Sequence, residues 1–404
     1  MAAEAITQEL ARGGSVSIIN LVNCLISQAA EVGASDLHLD PSESGLEARL
    51  RIDGVLEDLC HIPKEIKSEV VSRIKVVAGL RTDEHQMPQD GRFRHLFPNQ
   101  HFVDIRVSIA PTYHGENVVL RLLSDKAEDF SLGMLGFSES DQVKIGQAIK
   151  KSSGMILVTG PTGSGKTTTL YTLIKMLNSK SVSIITVEDP IEYAICGIKQ
   201  IQVNPRAGLT FVTGLRTILR QDPNIIMVGE IRDVETASMA VNTALTGHLL
   251  LSTLHTNDAA TTLPRLLDMK IESFLVASTV SVAIGQRLVR RICSKCKEKI
   301  IVTPALAQSL AAICLAQPIL SGEIFYRGKG CEYCHHSGYT GRLVINEVLV
   351  ATPNLREAIL NKASASRLKQ IAITEGMTTM IDDGFIKARS GQTTIEEVLR
   401  VIHE

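Results

Sequence analysis

The chain has 404 residues, 44% hydrophobic and 21% charged, a globular composition that predicts about two to four domains and excludes fibrous, low-complexity and wholly disordered classes. Lys+Arg 42 against Asp+Glu 43 leaves a net charge of −1, so no global basic field drives binding to nucleic acid or anionic membrane, and only a local basic patch stays open. Eight cysteines are too sparse here for a disulfide scaffold, and Met1 to Leu10 lacks the basic and apolar regions of a signal peptide, which together predict a reducing, cytosolic compartment.

In chain order, Ile18, Leu21, Val22, Leu25, Ile26 and Ala29 recur at helical spacing until Gly33-Ala34-Ser35-Asp36 breaks the helix. Leu46, Ala48, Leu50 and Ile52 then alternate with Glu47, Arg49, Arg51 and Asp53, a half-buried strand ending in a turn at Asp53-Gly54. Ile66, Val70, Ile74 and Val77 mark an amphipathic helix, and Val103, Ile105, Val107 and Ile109 alternate with Asp104, Arg106 and Ser108 as another strand. After the charged stretch Asp125 to Asp129 the pattern changes, placing a boundary near Ser131 to Gly136. Downstream, Met155–Thr159, Ser183–Val187, Ile225–Val228 and Leu249–Leu254 are continuous apolar runs separated by helical stretches, which predicts a doubly wound α/β domain with a parallel sheet covered on both faces. A cysteine-bearing segment follows, then a helical end with apolar spacing at Ile395, Val398, Leu399 and Ile402; there is no internal repeat. The expected division is 1–130, an N-terminal α/β domain; 131–290, the doubly wound domain; 291–342, the cysteine segment; and 343–404, a helical C-terminal region.

A membrane-spanning helix needs about 20 consecutive apolar residues. Ser273 to Gln286 is uncharged but interrupted by Ser and Thr, and the run between Pro304 and Pro318 is short and carries Gln308 and Gln317. Any membrane role is expected to be peripheral.

Gly160-Pro161-Thr162-Gly163-Ser164-Gly165-Lys166-Thr167 fits the phosphate-loop pattern G-x-x-x-x-G-K-[ST], with a buried strand before it and a helix after it. Glycines let backbone N–H groups curl around phosphate oxygens at a helix N-terminus, a lysine neutralises the β- and γ-phosphates, and the Thr167 hydroxyl can coordinate magnesium. The alternative is a chance glycine-rich turn. Acids follow two later buried strands: Glu188-Asp189-Pro190, and Glu230 with Asp222 before it and Asp233 after it. One acid would hold magnesium through a water and the other would orient or deprotonate the attacking water, although either could simply cap a helix or pair with an arginine. His248 and His255 bracket one strand and would face opposite sides, which argues against a shared metal; His255 reads equally as a γ-phosphate sensor or a structural histidine. Arg216, Arg220 and Arg232 lie near the acids in sequence, where each alone also suits a solvated surface charge.

Cys293-Ser294-Lys295-Cys296 and Cys331-Glu332-Tyr333-Cys334 form two CxxC pairs separated by 34 residues (297 to 330). Four thiolates on two short knuckles are what a closed, structural tetrahedral zinc site requires, with a redox pair or chance spacing as alternatives. Cys24, Cys60, Cys196 and Cys314 are expected to be small buried hydrophobes, and His335 and His336 to lie outside the ligand set.

These segments together resemble the secretion and pilus-assembly ATPases: type II secretion motors, type IV pilus extension motors and related DNA-uptake motors. The resemblance rests on Ala34–Leu39, Arg51–Gly54, Gln89–Arg92, Asp104–Ser108, the phosphate loop, Thr186–Tyr193, Leu219–Pro223, Met227–Asp233, Thr246–Leu249, Ser252–Asn257, the CxxC pairs and Gly338–Arg342, across about residues 15 to 400. It implies a RecA-like P-loop ATPase domain, a smaller PAS-like N-terminal α/β domain, a zinc-binding insertion and a helical C-terminal region. It implies ATP and magnesium as cofactors beside structural zinc, and a homo-hexameric ring with ATP between the two domains. Under it Gly160, Pro161, Thr162, Gly163, Ser164, Gly165, Lys166, Thr167 and Thr168 bind nucleotide, joined by Asp189, Arg216, Arg220 and His248. Glu188 and Asp189 match an acidic box, Glu188 being the stronger candidate for water activation. Glu230 occupies the Walker B position near magnesium, His248 and His255 match a histidine box, and Arg92 and Arg106 match N-terminal-domain arginines that reach the nucleotide.

The implied function is an ATP-driven motor on the cytoplasmic face of the inner membrane for pilus assembly or secretion, attached through a membrane platform protein and a cytoplasmic adaptor, with no direct nucleic-acid partner. A retraction or DNA-uptake motor and a non-motor switch are the alternatives. Retraction members usually lack the CxxC pairs, and Asn361-Lys362-Ala363-Ser364 lacks the Asp of a guanine-specificity motif. Asn224 stands where the family usually has Asp, and only about 15 residues precede the shared core, where many members carry a further docking domain; the expectation is docking by another surface, a compact pilus system or a truncated chain.

Overall fold

One-sided alternation shapes the first unit, Met1–Glu128. The computed structural model describes residues 2–97, 102–123, 130–310 and 318–403, so the stretch Asp125 to Asp129 and Cys314 lie outside it. Helices α1 (Ala2–Leu10) and α2 (Ile18–Glu31) precede strands β1 (Asp36–Pro41), β2 (Gly45–Ile52) and β3 (Val55–Pro63). Helix α3 (Lys64–Val77) and strands β4 (Gln89–Leu96), β5 (Phe102–Thr112) and β6 (Gly115–Leu123) complete the unit. The sheet is antiparallel in the order β3-β2-β1-β6-β5-β4. Leu37, Leu39, Leu46, Leu50, Ile105 and Val107 face Leu21, Leu25, Val70 and Ile74 of the helices, leaving the charged alternates on the other face. Asp53 and Gly54, both at positive φ (49° and 90°), form the two-residue turn between β2 and β3.

The second unit, Asp129–Glu404, opens with α4 (Leu132–Leu135), α5 (Glu139–Ile149), β7 (Gly154–Thr159) and α6 (Lys166–Leu177). Strands β8 (Ile184–Glu188), β9 (Lys199–Gln202), β10 (Ile225–Val228) and β11 (Leu249–Leu254) follow, with α7 (Phe211–Ile218) before β10 and α8 (Val234–Leu245) after it. Next come α9 (Ala259–Asp268), α10 (Ser273–Thr279), β12 (Val280–Ile292), β13 (Lys297–Ile301), α11 (Pro304–Leu310), β14 (Ile324–Gly328) and β15 (Tyr339–Val350). Helices α12 (Pro353–Leu360), α13 (Ala365–Thr374), α14 (Met380–Arg389) and α15 (Ile395–His403) end the chain.

The main sheet runs β15-β12-β7-β11-β10-β8-β9 and is parallel except for β15. Its apolar runs are continuous because alternate residues serve two cores: Met155 and Leu157 enter one, Ile156 and Val158 the other, and Ile226 and Val228 likewise oppose Ile225 and Met227. The expected divisions at 290 and 343 do not fall at breaks in this sheet. Strand β12 runs through 290 and pairs with β15, which runs through 343 (Arg290↔Arg342). The region 343–404 therefore begins as sheet, and its helices supply Leu355, Ile359, Leu368 and Ala372 to a sheet-covering core. The run Ser273 to Gln286 is α10 and the start of β12, and among the described residues no helix is long and apolar enough to cross a membrane.

Strands β13 and β14 pair with each other outside the main sheet. Phe325 and Val302 of this small module share a core with Phe385, Ala388, Ile395 and Val398 of α14 and α15.

Candidate active site and metal centre

Strands β7, β8, β10 and β11 are mutually parallel, so the residues that follow them gather along one edge, where open α/β sheets carry their sites. After β7 the chain turns so tightly beneath β12 that a side chain at Gly160 would sit 2.4 Å from the Gln286 carbonyl oxygen. Gly165, at φ 85°, enters α6 in the left-handed region that favours glycine. The loop between them ends in the unpaired N–H groups of a helix N-terminus, a ready anion cradle. Pro161, Thr162, Gly163 and Thr167 are exposed, Thr168 is half-buried and Ser164 is buried. Lys166 is buried, its Nζ donating to the carbonyls of Gly160 (2.8 Å) and Pro161 (2.9 Å). Burial pulls the Lys166 pKa down to about 8, against the upward pull of the Glu230 carboxylate.

Glu230 follows β10 and is nearly buried; its two oxygens meet Arg232 (2.6 Å) and His255 Nε2 (3.1 Å), the latter just past the end of β11. Thr159 and Thr256 tie the ends of β7 and β11 together, the Thr256 N–H donating to Thr159 Oγ1 at 3.0 Å. This fixes the backbone on both sides of His255 relative to the phosphate loop.

Glu188 ends β8 on the same edge but is only 3% exposed. Its carboxylate accepts from the Tyr171 hydroxyl, from Thr186 Oγ1 (2.6 Å) and from Gln200 Nε2 (3.1 Å). Burial raises the Tyr171 pKa, and the Glu188 charge reinforces the shift, so the phenol stays a donor. Tyr171 also accepts from the Glu192 N–H (3.3 Å), so the network reaches the turn after Glu188, where Asp189 is exposed.

Other expected site residues lie apart. His248 precedes β11 and Asn224 precedes β10, both at the opposite end of the strands. His248 Nδ1 lies 3.2 Å from the Thr243 carbonyl, and Asn224 Oδ1 accepts from the Ser183 N–H (2.8 Å). Asn224 thus ties the start of β8 to that of β10, a task that needs no carboxylate. Arg216 meets exposed Glu235 (3.7 Å), and Arg220 donates to the Arg216 carbonyl (3.1 Å). Asp233 caps α8 by accepting from the Thr236 N–H. In the first unit, Arg92 pairs in register with Arg106, and Arg106 with Arg121. Sequence reasoning missed Tyr171, Gln200 and Gln286, which touch the motif residues but carry no motif of their own.

The four thiols Cys293, Cys296, Cys331 and Cys334 lie within 4.8 Å of one another. The separations Cys293–Cys331 (3.9 Å), Cys296–Cys334 (3.8 Å) and Cys331–Cys334 (3.7 Å) agree with the ~3.8 Å between sulfurs of a tetrahedron whose metal–sulfur bonds are about 2.3 Å. N–H groups of Gly330 and Gly338 point at Cys296 and Cys334 sulfurs (both 3.3 Å). Burial pushes Cys296 up to about 12, whereas at Cys334 burial is outweighed by N–H donors from Cys331 and Gly338 that draw it down to about 6. A divalent cation bound by the four sulfurs would displace the thiol protons. Of the other cysteines, Cys24 and Cys60 are half-buried and Cys196 is exposed, so the buried-hydrophobe expectation fails for Cys196, which lies in the turn before β9.

The family model described as Type II/IV secretion system protein matches residues 12–400. The chain is 46% identical to Type II secretion system protein E of Xanthomonas campestris pv. campestris over 387 residues, covering 96% of this chain and 68% of that protein. It is 44% identical to the type IV pilus assembly ATPase PilB of Thermus thermophilus over 378 residues, 94% of this chain and 42% of that one. Among solved structures, the pilus retraction motor PilT with bound ADP superposes with a TM-score of 0.61 at 25% identity, covering 94% of this chain and 96% of PilT. The Legionella pneumophila ATPase DotB gives 0.68 at 21% identity over 94% and 95% of the chains, a likeness of fold.

Proposed function

We propose a mechanism from one premise: the chain belongs to the Type II/IV secretion system protein family. It is an ATPase of the secretion and pilus motor class. Our reading is that it forms a homo-hexamer and hydrolyses ATP at the Gly160–Thr167 loop, powering protein export or pilus assembly. It works at the cytoplasmic face of the inner membrane, held there by a platform protein and an adaptor. The observation that carries the site assignment is the convergence of Lys166, Glu230 and His255 on one sheet edge, with Glu230 close enough to act on the Lys166 pKa.

In this reading loop N–H groups and Lys166 hold the β- and γ-phosphates. Thr167 and Glu230 would hold magnesium, which would supply charge neutralisation when bound. His255, oriented by Glu230, meets the γ-phosphate end, so loss of that phosphate is felt at β11. Glu188, with its oxygens engaged by Tyr171, Thr186 and Gln200, acts by position: it anchors the turn carrying Asp189 and Glu192 at the site's rim. Arg92 and Arg106, and Arg216 and Arg220, would serve nucleotide charge within the assembled ring. His248, bonded at the far edge, serves the strand β11 rather than the phosphates. The four cysteines hold a structural zinc, the donor set and spacing being those of a closed tetrahedral site.

The test is magnesium-dependent phosphate release by the purified chain. Glu230→Gln is expected to bind ATP and hydrolyse it at least about a hundredfold more slowly; wild-type turnover in that variant would remove Glu230 from the chemistry. Recovery of a membrane platform protein with the chain would support the motor's attachment, and its absence from crosslinked membranes would oppose it.

A further inference from the structure

Strand β12 lies beside β7 in parallel, with Gly285 opposite Thr159, which brings Gln286 against the first residue of the phosphate loop. Gln286 is fully buried, and its side-chain amide is satisfied at both ends. Nε2 donates to the Ser164 carbonyl at 2.7 Å, and Oε1 accepts from the Thr169 hydroxyl at 2.9 Å. A side chain at Gly165 would come within 3.3 Å of the same Nε2. The amide therefore fills the space between the crest of the loop and the first turn of α6.

The direction of the Ser164 carbonyl has a consequence for the next residue. In a planar trans peptide the C=O and the following N–H point in opposite directions. A Ser164 carbonyl held inward by Gln286 turns the Gly165 N–H outward, to the side of the loop where an anion would sit. Rotating that peptide would leave the carbonyl there instead, replacing a donor by a repelling acceptor.

We propose that Gln286 is a positioning residue of the phosphate site: by holding the Ser164 carbonyl it aims the Gly165 N–H at the nucleotide phosphates. The proposal rests on the reading of Gly160–Thr167 as the nucleotide loop. Thr169 plays a lesser part, since the Ser164 bond survives without it.

The experiment titrates the folded full chain with magnesium and a non-hydrolysable ATP analogue, and measures KM and kcat for ATP and the urea midpoint without nucleotide. Gln286→Met keeps the volume but cannot donate; it is expected to weaken analogue binding and raise KM about tenfold, as for one lost charge-assisted hydrogen bond, with kcat within about threefold of wild type. Thr169→Val is expected to keep affinity within about twofold, even if both variants lower the urea midpoint. Gln286→Met with wild-type affinity, or Thr169→Val losing as much affinity as Gln286→Met, would overturn the proposal. Should Gln286→Met not fold, Gln286→Asn takes its place: one methylene shorter, its amide cannot span to the Ser164 carbonyl, so the same loss of about tenfold is expected and wild-type affinity would overturn the proposal. Lys166→Ala in the same titration separates the two claims. If it too binds like wild type, the nucleotide-loop reading fails; if it alone loses binding, only the role of Gln286 fails.

Discussion

Between pH 7 and pH 9 the affinity of the chain for nucleotide is expected to fall about tenfold, through Lys166. Burial holds this lysine at about 8, with Glu230 pulling the other way, against the ~10.4 of a free side chain. The site then holds about nine-tenths of its lysine charged at pH 7 and about one-tenth at pH 9, a factor near ten or ~1.4 kcal/mol. A bound phosphate favours the charged form, so binding above about pH 8 must take up a proton and weakens as pH rises. The effect of Lys166 on unliganded stability has the opposite sign. Its folded pKa lies below its unfolded one, so the unfolded chain binds more protons through this window and the residue's contribution to stability rises with pH. Titration with a fluorescent ATP analogue at fixed ionic strength and excess magnesium reads the affinity directly. Lys166→Arg, charged throughout, should bind more weakly but with a flat profile. A flat or rising profile in the wild type would refute the assignment of Lys166 as the phosphate-neutralising group.

Other expectations follow from buried groups. Glu188→Gln places an amide donor among three donors, and is expected to lower kcat while ATP binding persists; near-normal turnover in stopped assays would remove Glu188 from the mechanism. Metal analysis should find about one zinc per chain, and chelation should first expose the amides of α14 and α15 to hydrogen exchange, because they share a core with β13 and β14. Unchanged protection in a metal-free chain would contradict the zinc reading. At Glu397, burial is outweighed by bonds from Arg400 and Arg290, which draw its pKa down to about 2. Glu397→Gln should therefore cost about 1–2 kcal/mol near neutral pH once screening at the part-exposed Arg400 is allowed for, read from urea midpoints. Because the folded pKa is depressed, that contribution is present above the ordinary glutamate pKa and lost as pH falls through about 2, so an equal cost at both extremes would oppose it.

What the sequence revealed depended on whether the partner of a residue was local. Strand β2 was legible because its alternation reports one covered face, and β7, β10 and β11 because unbroken apolar runs report two. Strand β15 was not. It pairs with β12 across the whole cysteine module, and Asn346 and Glu347 interrupt its apolar run. Their side chains bond to distant groups: Asn346 Nδ2 donates to Asp141 (3.0 Å), and Glu347 Oε1 accepts from the Ala259 N–H (2.8 Å). The site divides the same way. The phosphate loop, the two acids and the cysteines were visible as motifs, and the structure brings Lys166, Glu230 and His255 together. Gln286 was invisible because the carbonyl it holds is 122 positions away, whereas the separation of His248 from the loop was already implicit in the strand that the sequence places between His248 and His255.

Steady-state phosphate release from ATP and magnesium by the purified chain, compared with its Lys166→Ala variant at matched secondary structure and melting temperature, tests the central claim most directly. The account predicts turnover in the wild type and none above background in the variant. Equal turnover in the two would contradict it.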